Sequence, residues 1–204
     1  MAKSRQSRRA PGERFDRAYY ERFYLNSRTA VTSRTEMRAR ARLITAFVDH
    51  IGLPVRRVLD AGCGIGLLRA SLKRNWPRVD YVGLETSEFL CTRYGWQRGS
   101  LTNWRASEAF DLVICYDVLQ YLDDRDAARA LANLGRLCRG VLYTTALTTQ
   151  DWQRNCDQSR TDQDVYLRSG DWYRQRLRRS FRPVGAGLWL RRGAPLITWE
   201  LEVA

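Results

Sequence analysis

The stretch VLDAGCGIG, residues 58–66, predicts a short buried strand that runs into a glycine-rich turn. Glycine lets the backbone turn tightly and come close to a ligand. A helical pattern, residues 67–72, begins directly behind the turn, so unpaired backbone amides point into the gap. Strand, turn and helix start together predict a cradle for a polar ligand.

Two acidic residues near this turn indicate the kind of ligand. The spacing Gly62-x-Gly64-x-Gly66 differs from the G-x-G-x-x-G of dinucleotide-binding turns, which disfavours a nicotinamide dehydrogenase. Asp60 precedes the first glycine by two residues, where a carboxylate repels a pyrophosphate but pairs with an ammonium group. Glu85 ends the next apolar run, roughly 20 residues after the turn, where an acidic side chain reaches ribose hydroxyls. S-adenosylmethionine carries all of the matching groups.

These segments resemble the class I S-adenosylmethionine-dependent methyltransferases. The resemblance rests on Val58–Gly66, on Tyr81–Ser87 and on Phe110–Asp124 (FDLVICYDVLQYLDD), and it covers roughly residues 55–145. It implies an α/β, Rossmann-like, doubly wound seven-stranded sheet, mostly parallel with a C-terminal antiparallel hairpin and with helices on both faces. It also implies methyl transfer with S-adenosyl-L-methionine as the cofactor.

The resemblance assigns roles to two further segments. In the family, the loop after the third strand contacts the adenine; here Ser100 is placed to bond the ring and Leu101 to pack on it. The central strand, Phe110–Cys115, ends at the methyl donor in the family, so Tyr116 and Asp117 are the predicted catalytic residues. The full predicted cofactor-binding set is Asp60, Gly62, Cys63, Gly64, Gly66, Glu85, Thr86, Ser100, Leu101 and Tyr116.

The segment after the central strand bears on the acceptor. Family members that methylate base amines usually carry two prolines there, whereas this chain reads Tyr116-Asp117-Val118-Leu119. Many small-molecule members have a Glu-His pair where this chain has Gln120-Tyr121, so an obvious general base is missing. The predicted function is methyl transfer to an oxygen or nitrogen of a small molecule, such as a natural product. An RNA or protein methyltransferase and a non-catalytic cofactor-binding regulator are the alternatives.

The predicted acceptor residues come from two regions. Residues 147–180 are polar, charged and aromatic, and they follow a strand end on the side where open α/β sheets bind ligands. An aromatic cluster near residues 15–24 predicts either a lid over the cofactor or a stripe packed on the body. The alternative for residues 147–180 is a solvated helix pair with ordinary capping residues. The predicted substrate-binding residues are Tyr20, Tyr24, Trp152, Asp157, Arg160, Tyr166 and Trp172.

Local signals predict how the rest of the chain is organised. Ser33-x-x-Glu36 is a capping box for a helix that begins near Arg34, and Asp123-Asp124 cap another. Gly193-Ala194-Pro195 is the predicted turn of the terminal hairpin. The predicted organisation is a basic flexible arm at 1–14 and one domain at 15–204, divided into N-terminal helices or lid (15–52), cofactor-binding core (55–145), substrate-side insertion (147–180) and terminal hairpin (183–203).

Composition sets the remaining expectations. A chain of 204 residues with 44% hydrophobic residues suits one globular domain, and we expect a cytoplasmic monomer or homodimer with no membrane partner. The five scattered cysteines are typical of free thiols, and with His50 as the single histidine we expect no metal site. The net charge of +13 is compatible with a nucleic-acid partner. The arginines are spread along the chain, however, which favours a solvated basic surface and a small-molecule acceptor.

Overall fold

The computed structural model describes residues 14–26 and 28–203. Its strands are β1 (Arg57–Ala61), β2 (Asp80–Glu85), β3 (Gln97–Arg98), β4 (Phe110–Tyr116), β5 (Cys138–Thr145), β6 (Phe181–Gly185) and β7 (Leu188–Arg191). They form a 7-stranded sheet in the order β3-β2-β1-β4-β5-β7-β6. The first five strands run parallel, and β7 pairs antiparallel with β5 and with β6. This confirms the predicted Rossmann-like sheet.

The helices connect the strands and begin where the capping signals lie. They are α1 (Arg17–Tyr20), which continues into a π-helical turn (Glu21–Leu25), α2 (Arg34–His50), α3 (Arg69–Asn75), α4 (Glu88–Tyr94), α5 (Asp124–Leu137), α6 (Thr149–Arg154) and α7 (Gly170–Leu177). The capping box of Ser33 and Glu36 is present at the start of α2, and Asp123 caps α5. Helix α3 begins at Arg69, two residues later than its apolar pattern suggests.

Helices cover both faces of the sheet because side chains along each buried strand alternate between the two faces. In β1, Val58 packs with the layer of α2 and α3, whereas Leu59 packs with the layer of α5 and α7. Both of these side chains are fully buried. The central strand β4 is buried over residues 110–115 and is almost entirely apolar, since neither of its faces meets water.

The carboxyl ends of the five parallel strands meet at one edge of the sheet. The turn between β6 and β7 lies at the same edge, because β7 runs antiparallel to β5 and its first residue, Leu188, pairs with Tyr143 near the end of β5. Open α/β sheets bind their ligands at this edge. The topology therefore brings the glycine turn, the end of β4 and the β6–β7 turn to one side of the molecule.

The predicted limits of the terminal hairpin, 183–203, are wrong. The hairpin spans 181–191, and its turn is Ala186-Gly187, where both residues have positive φ, 49° and 83°. Such a two-residue turn matches the twist of the paired strands. Leu188, Trp189 and Leu190 are all buried because β7 lies inside the sheet between β5 and β6, and Pro183 sits on the edge strand β6. The segment after Gly193 adds no strand.

The predicted basic arm at 1–14 falls almost wholly outside the described residues. Within 14–26 and 28–203, none of the helices combines the length and the apolar character that crossing a membrane requires.

Candidate cofactor and acceptor site

A cavity of about 150 Å³ opens at the carboxyl edge of the sheet, and we call it the glycine-turn cavity. Its walls come from the glycine turn, the end of β2, residues 99–101, the segment after β4 and the N-terminal segment. Ten of the predicted site residues line it: Gly62, Gly64, Glu85, Thr86, Ser100, Leu101, Tyr116, Asp117, Tyr20 and Tyr24. Folding thus gathers most of the predicted cofactor set around one space.

The Glu85 carboxylate is the most firmly held group in this cavity. The backbone N–H of Gly64 donates to its Oε2 at 3.0 Å, and those of Thr86 and Ser87 donate to its Oε1 at 2.7 and 3.1 Å. Three backbone donors from two segments fix the position and orientation of this carboxylate. The side chain is 5% exposed and joins the end of β2 to the glycine turn. The structure therefore presents a preorganised acceptor to a ligand in the cavity.

Close packing explains two of the glycines in the turn. Gly62 has φ +76°, and a Cβ there would lie 2.3 Å from a methyl carbon of Val118, in the segment after β4. Gly66 has φ +73°, and a Cβ there would lie 2.7 Å from the ring of Trp96. Any L side chain at either position would be strained and would clash. The turn can therefore lie directly against both neighbours.

Trp96 is a positioning residue that no motif in the sequence indicated. Its indole Nε1 donates to the Gly64 carbonyl at 2.9 Å, and its ring packs over Gly66. The Arg69 guanidinium lies 5.4 Å from the ring centroid on the side of α3. The signal was weak, because a tryptophan beside a two-residue strand resembles an ordinary core residue.

Asp60 and Cys63 lie behind the glycine turn and are not among the lining residues of the cavity, nor is Gly66. The Tyr81 hydroxyl donates to Asp60 Oδ2 at 2.6 Å, and the Asp60 side chain is 4% exposed. Burial raises the pKa of Asp60 to about 6; the Tyr81 hydrogen bond opposes the rise and the Glu85 charge adds to it. Burial also raises the pKa of the Cys63 thiol, so it stays protonated. A direct ligand contact of these residues stays a prediction.

Asp117 follows β4 in a strained backbone conformation. Its φ is 55°, which non-glycine residues rarely adopt and which is often retained at functional sites. Its N–H donates to the Thr145 carbonyl at 3.2 Å, and Thr145 Oγ1 donates to its Oδ1 at 3.4 Å. Burial raises its pKa, while bonds from Tyr116 and Thr145 and the Arg40 charge oppose the rise. The carboxyl group is therefore held at the cavity wall next to β5.

The N-terminal segment covers the cavity with aromatic rings. Phe15, Tyr19, Tyr20 and Tyr24 line the cavity together with Tyr121. The Tyr19 hydroxyl donates to the Tyr121 hydroxyl at 3.0 Å, and the Phe15 carbonyl accepts from Ser87 Oγ at 2.5 Å. We call residues 14–25 the aromatic cover. Of the two predicted roles, this placement agrees with a lid.

The predicted substrate residues of the segment 147–180 do not reach the cavity. Asp157 accepts from the N–H of Ser159 at 3.0 Å, and Arg160 donates to the Ala30 carbonyl at 2.7 Å. Arg176 lies 3.6 Å from the Trp172 ring centroid. The residues absent from the lining are Trp152, Asp157, Arg160, Tyr166 and Trp172. A direct ligand contact of these five stays a prediction.

This region instead fastens the aromatic cover. Arg14 Nη2 lies 2.9 Å from Asp162 Oδ2, and Arg14 Nη1 lies 3.2 Å from Asp164 Oδ2. The Arg160 bond to Ala30 adds a second link between the same two parts of the chain. Residues 157–164 therefore hold Arg14 and Ala30 in place.

Arg168 is a second positioning residue that the sequence did not reveal. It is 6% exposed and donates to the carbonyls of Leu119 and Leu122 and to the Tyr173 hydroxyl. Its Nε also donates to Asp124 at 2.8 Å. One buried guanidinium thus ties the segment after β4 to α7, and nothing in the local sequence separates it from the other arginines.

A second cavity, of about 290 Å³, lies beside the first at the same edge of the sheet. Residues from the end of β5, from α7 and from the β6–β7 hairpin line it, and we call it the hairpin cavity. Thr145 lines this cavity and donates to Asp117, which lines the other. The two cavities therefore adjoin at the end of β4 and β5.

Comparisons with known proteins agree with this geometry. Residues 59–140 match a family model described as a methyltransferase domain. Over 111 residues, 50% of this chain, the sequence is 31% identical to a trans-aconitate 2-methyltransferase of Pseudomonas paraeruginosa. The chain covers 40% of that relative's length.

Solved structures share the fold. The crystal structure of Streptomyces venezuelae DesVI superposes with a TM-score of 0.62 at 16% identity, covering 84% of this chain and 95% of that one. Magnesium protoporphyrin IX methyltransferase (ChlM) of Synechocystis PCC 6803 with bound SAH superposes with a TM-score of 0.58 at 19% identity, covering 76% and 83%. At these identities the likeness concerns the fold.

Proposed function

We propose that this chain is a class I S-adenosylmethionine-dependent methyltransferase, which the match of residues 59–140 to a methyltransferase-domain model supports, and that it binds S-adenosylmethionine in the glycine-turn cavity and methylates a small molecule. The observation that carries the proposal is the Glu85 carboxylate, fixed by three backbone amides at the tip of β2 and facing the cavity. A carboxylate at that place accepts hydrogen bonds from ribose hydroxyls.

The residues around the cavity fit the parts of the cofactor. Glu85 accepts from the ribose hydroxyls, and Ser100 and Leu101 lie at the wall assigned to the adenine. Gly62 and Gly64 present bare backbone to the cavity, and a Cβ at Gly62 would meet Val118. Asp60 supplies negative charge behind the turn for the ammonium group of the methionine part.

The cover must open for this ligand to enter. The glycine-turn cavity, at about 150 Å³, is smaller than the roughly 300 Å³ at which ordinary ligand pockets begin. The aromatic cover takes up the outer part of the space, and a small number of polar contacts made by Arg14, Phe15 and Tyr19 attach it. We propose that residues 14–25 swing outward on loading and return to exclude water.

S-adenosylmethionine supplies a methyl group on a positively charged sulfur, so the protein mainly has to orient the acceptor and exclude water. Orientation alone lowers such barriers by up to about 7–11 kcal/mol in favourable cases. Asp117 is held at the cavity wall by Thr145 and points its carboxyl group to the region beside Tyr116. We propose that it orients the acceptor and accepts the proton that the acceptor releases. The raised pKa of Asp117 brings it nearer to the range in which a base is effective.

The acceptor of the trans-aconitate relative does not suit this site. Trans-aconitate carries three carboxylates. In this chain an acceptor beside Asp117 lies next to one carboxylate, and Glu85 adds a second carboxylate to the same cavity. Like charges at close range repel, which disfavours an anionic acceptor. We therefore propose a different small-molecule acceptor for this chain.

Calorimetric titration tests the cofactor assignment. We expect wild-type protein to bind S-adenosylmethionine and S-adenosylhomocysteine at micromolar concentration and not to bind NADH. In Glu85→Ala the affinity should fall at least about a hundredfold, because two charge-assisted hydrogen bonds to the ribose, about 1.5–3 kcal/mol each, are lost. Glu88→Ala, which removes an exposed carboxylate paired with Arg98, is the matched control and should bind normally.

Either of two results would contradict the proposal: unchanged affinity in Glu85→Ala, or tight binding of NADH with none of the sulfur ligands. Binding of the sulfur ligands without methyl transfer to any acceptor would favour the regulator that keeps the cofactor pocket.

A further inference from the structure

We infer that the acceptor is an amine with an apolar body, which places its nitrogen beside Asp117 and its apolar part in the hairpin cavity. This inference rests on the proposed function and names the substrate class of the same site.

The hairpin cavity has an apolar wall. Its sides are formed by Leu119, Ala146, Tyr173, Leu177, Leu188 and Trp189. A cavity of about 150 Å³ with such a lining is enough to hold benzene, and this one measures about 290 Å³. It therefore has room for an aromatic ring with a short chain or for a fused pair of rings.

The hairpin cavity lies next to the reacting region. Thr145 and Leu119 line the hairpin cavity, while their neighbours Asp117 and Val118 line the glycine-turn cavity. The 3.4 Å contact between Thr145 Oγ1 and Asp117 Oδ1 spans the boundary. An acceptor seated in the apolar space thus reaches Asp117 with a side chain of only a few atoms.

The charges at the boundary favour a cation. Asp117 is a carboxylate at the wall, Asp151 in the cap of α6 adds negative potential to it, and the rings of Tyr24 and Tyr116 line the same space. Aromatic faces and a carboxylate together attract an ammonium group.

Three arginines near the site are already engaged. The Arg40 guanidinium covers the Tyr116 ring at 4.0 Å and donates to the Tyr143 hydroxyl at 3.0 Å. Arg174, at the hairpin cavity, pairs with Asp171 at 2.8 Å. Arg14 pairs with Asp162 above the cover. The positive charge of Arg40 opposes the rise in the pKa of Asp117. Arg40 therefore serves below as a control.

The amine must be neutral when it reacts, and Asp117 provides for this. The ammonium form binds beside Asp117 and loses one proton to its carboxylate, directly or through water. The free electron pair on nitrogen then forms the new bond to the methyl carbon, and the carbon–sulfur bond breaks with its electron pair left on sulfur. The products are the N-methylammonium ion, S-adenosylhomocysteine and protonated Asp117, which later releases its proton to solvent, so atoms and charges balance.

Three probes of matched shape test the inference: 2-phenylethylamine, 2-phenylethanol and 3-phenylpropanoate, cationic, neutral and anionic at pH 7.5. Each is titrated by calorimetry into protein saturated with S-adenosylhomocysteine, and methyl transfer to each is measured with labelled cofactor. We expect the amine to bind at least about tenfold more tightly than the acid and to be the probe that is methylated.

Three variants separate the parts of the inference. Asp117→Asn should remove the preference for the amine. Ala146→Phe, which fills the hairpin cavity, should lower the binding affinity of all three probes about tenfold or more. Arg40→Gln should keep the preference for the amine. Thermal unfolding of each variant shows that it is folded before binding is compared.

Three outcomes would overturn the inference: the acid binds as well as the amine, the preference survives in Asp117→Asn, or none of the probes binds while S-adenosylhomocysteine does. Loss of acid binding in Arg40→Gln would point to a carboxylate acceptor instead. Failure of S-adenosylhomocysteine itself to bind would refute the proposed function, and this result is seen before any probe is added.

Discussion

Replacing Asp60 with Asn should make the protein more stable and its cofactor binding weaker. Asp60 is 4% exposed and keeps one hydrogen bond, from the Tyr81 hydroxyl, which an Asn oxygen can also accept. Burial raises its pKa from the ordinary 3.8 to about 6. Folding therefore favours the neutral form, and at neutral pH the buried charge opposes folding.

The size of the change in the free energy of unfolding, and its pH dependence, follow from this pKa. One pKa unit corresponds to about 1.4 kcal/mol, so the rise from 3.8 to about 6 makes the ionised group about 3 kcal/mol unfavourable to folding. Because the folded protein holds the proton more tightly, Asp60 contributes its stability below pH 4, and this contribution is lost as the pH rises through about 6. Asp60→Asn should thus be about 3 kcal/mol more stable than wild type at pH 7.5, with the difference shrinking toward zero near pH 4.

The assay is urea unfolding of the ligand-free protein at several pH values, with calorimetric titration of S-adenosylhomocysteine at pH 7.5. Affinity should fall about tenfold or more in Asp60→Asn, since the negative charge behind the turn no longer attracts the ammonium group of the ligand. Asp80→Asn, an exposed residue of β2 paired with Arg57, is the matched control and should alter neither quantity by much. Lower stability of Asp60→Asn at pH 7.5, or unchanged affinity, would refute this account of Asp60.

Two further changes test the positioning elements. Arg168→Met should lower the free energy of unfolding by about 3 kcal/mol, because the carbonyls of Leu119 and Leu122 lose a buried donor; urea unfolding measures this, and a loss as small as that of the exposed Arg129→Met would contradict it. Arg14→Gln should speed S-adenosylhomocysteine release about fivefold, as expected for a contact worth about 1 kcal/mol. Stopped-flow tyrosine fluorescence follows the release. Arg17 pairs with Glu21 within the aromatic cover, so an equal effect in Arg17→Gln would contradict a specific role for the Arg14 link.

Signals within a few residues of each other predicted their parts of the structure well. The capping box of Ser33 and Glu36 starts α2, and Asp123 caps α5, because such a cap depends only on a side chain and the backbone three residues on. The glycine turn and Glu85 also meet as predicted, since both lie at carboxyl ends of neighbouring parallel strands. The Glu85 interactions with Thr86 and Ser87 are local as well.

Features that depend on residues far apart along the chain could not be predicted from the sequence. The hairpin was misplaced because Leu188–Leu190 is buried on both faces only when β7 inserts between β5 and β6. The aromatic and charged residues of 147–180 resembled a binding surface, yet three of them, Arg160, Asp162 and Asp164, have partners in the N-terminal segment. No spacing rule links positions so far apart along the chain.

The sequence by itself determined the fold, the cofactor class and the residues of the glycine turn, because strand, turn and cap preferences act over short stretches and recur in order along the chain. Only the tertiary structure decided that Tyr19 meets Tyr121, that Arg168 ties the segment after β4 to α7, and that the hairpin cavity adjoins Asp117. The physical reason is that the burial and pairing of these groups depend on which surfaces cover them. Those surfaces come together only when the whole domain has folded.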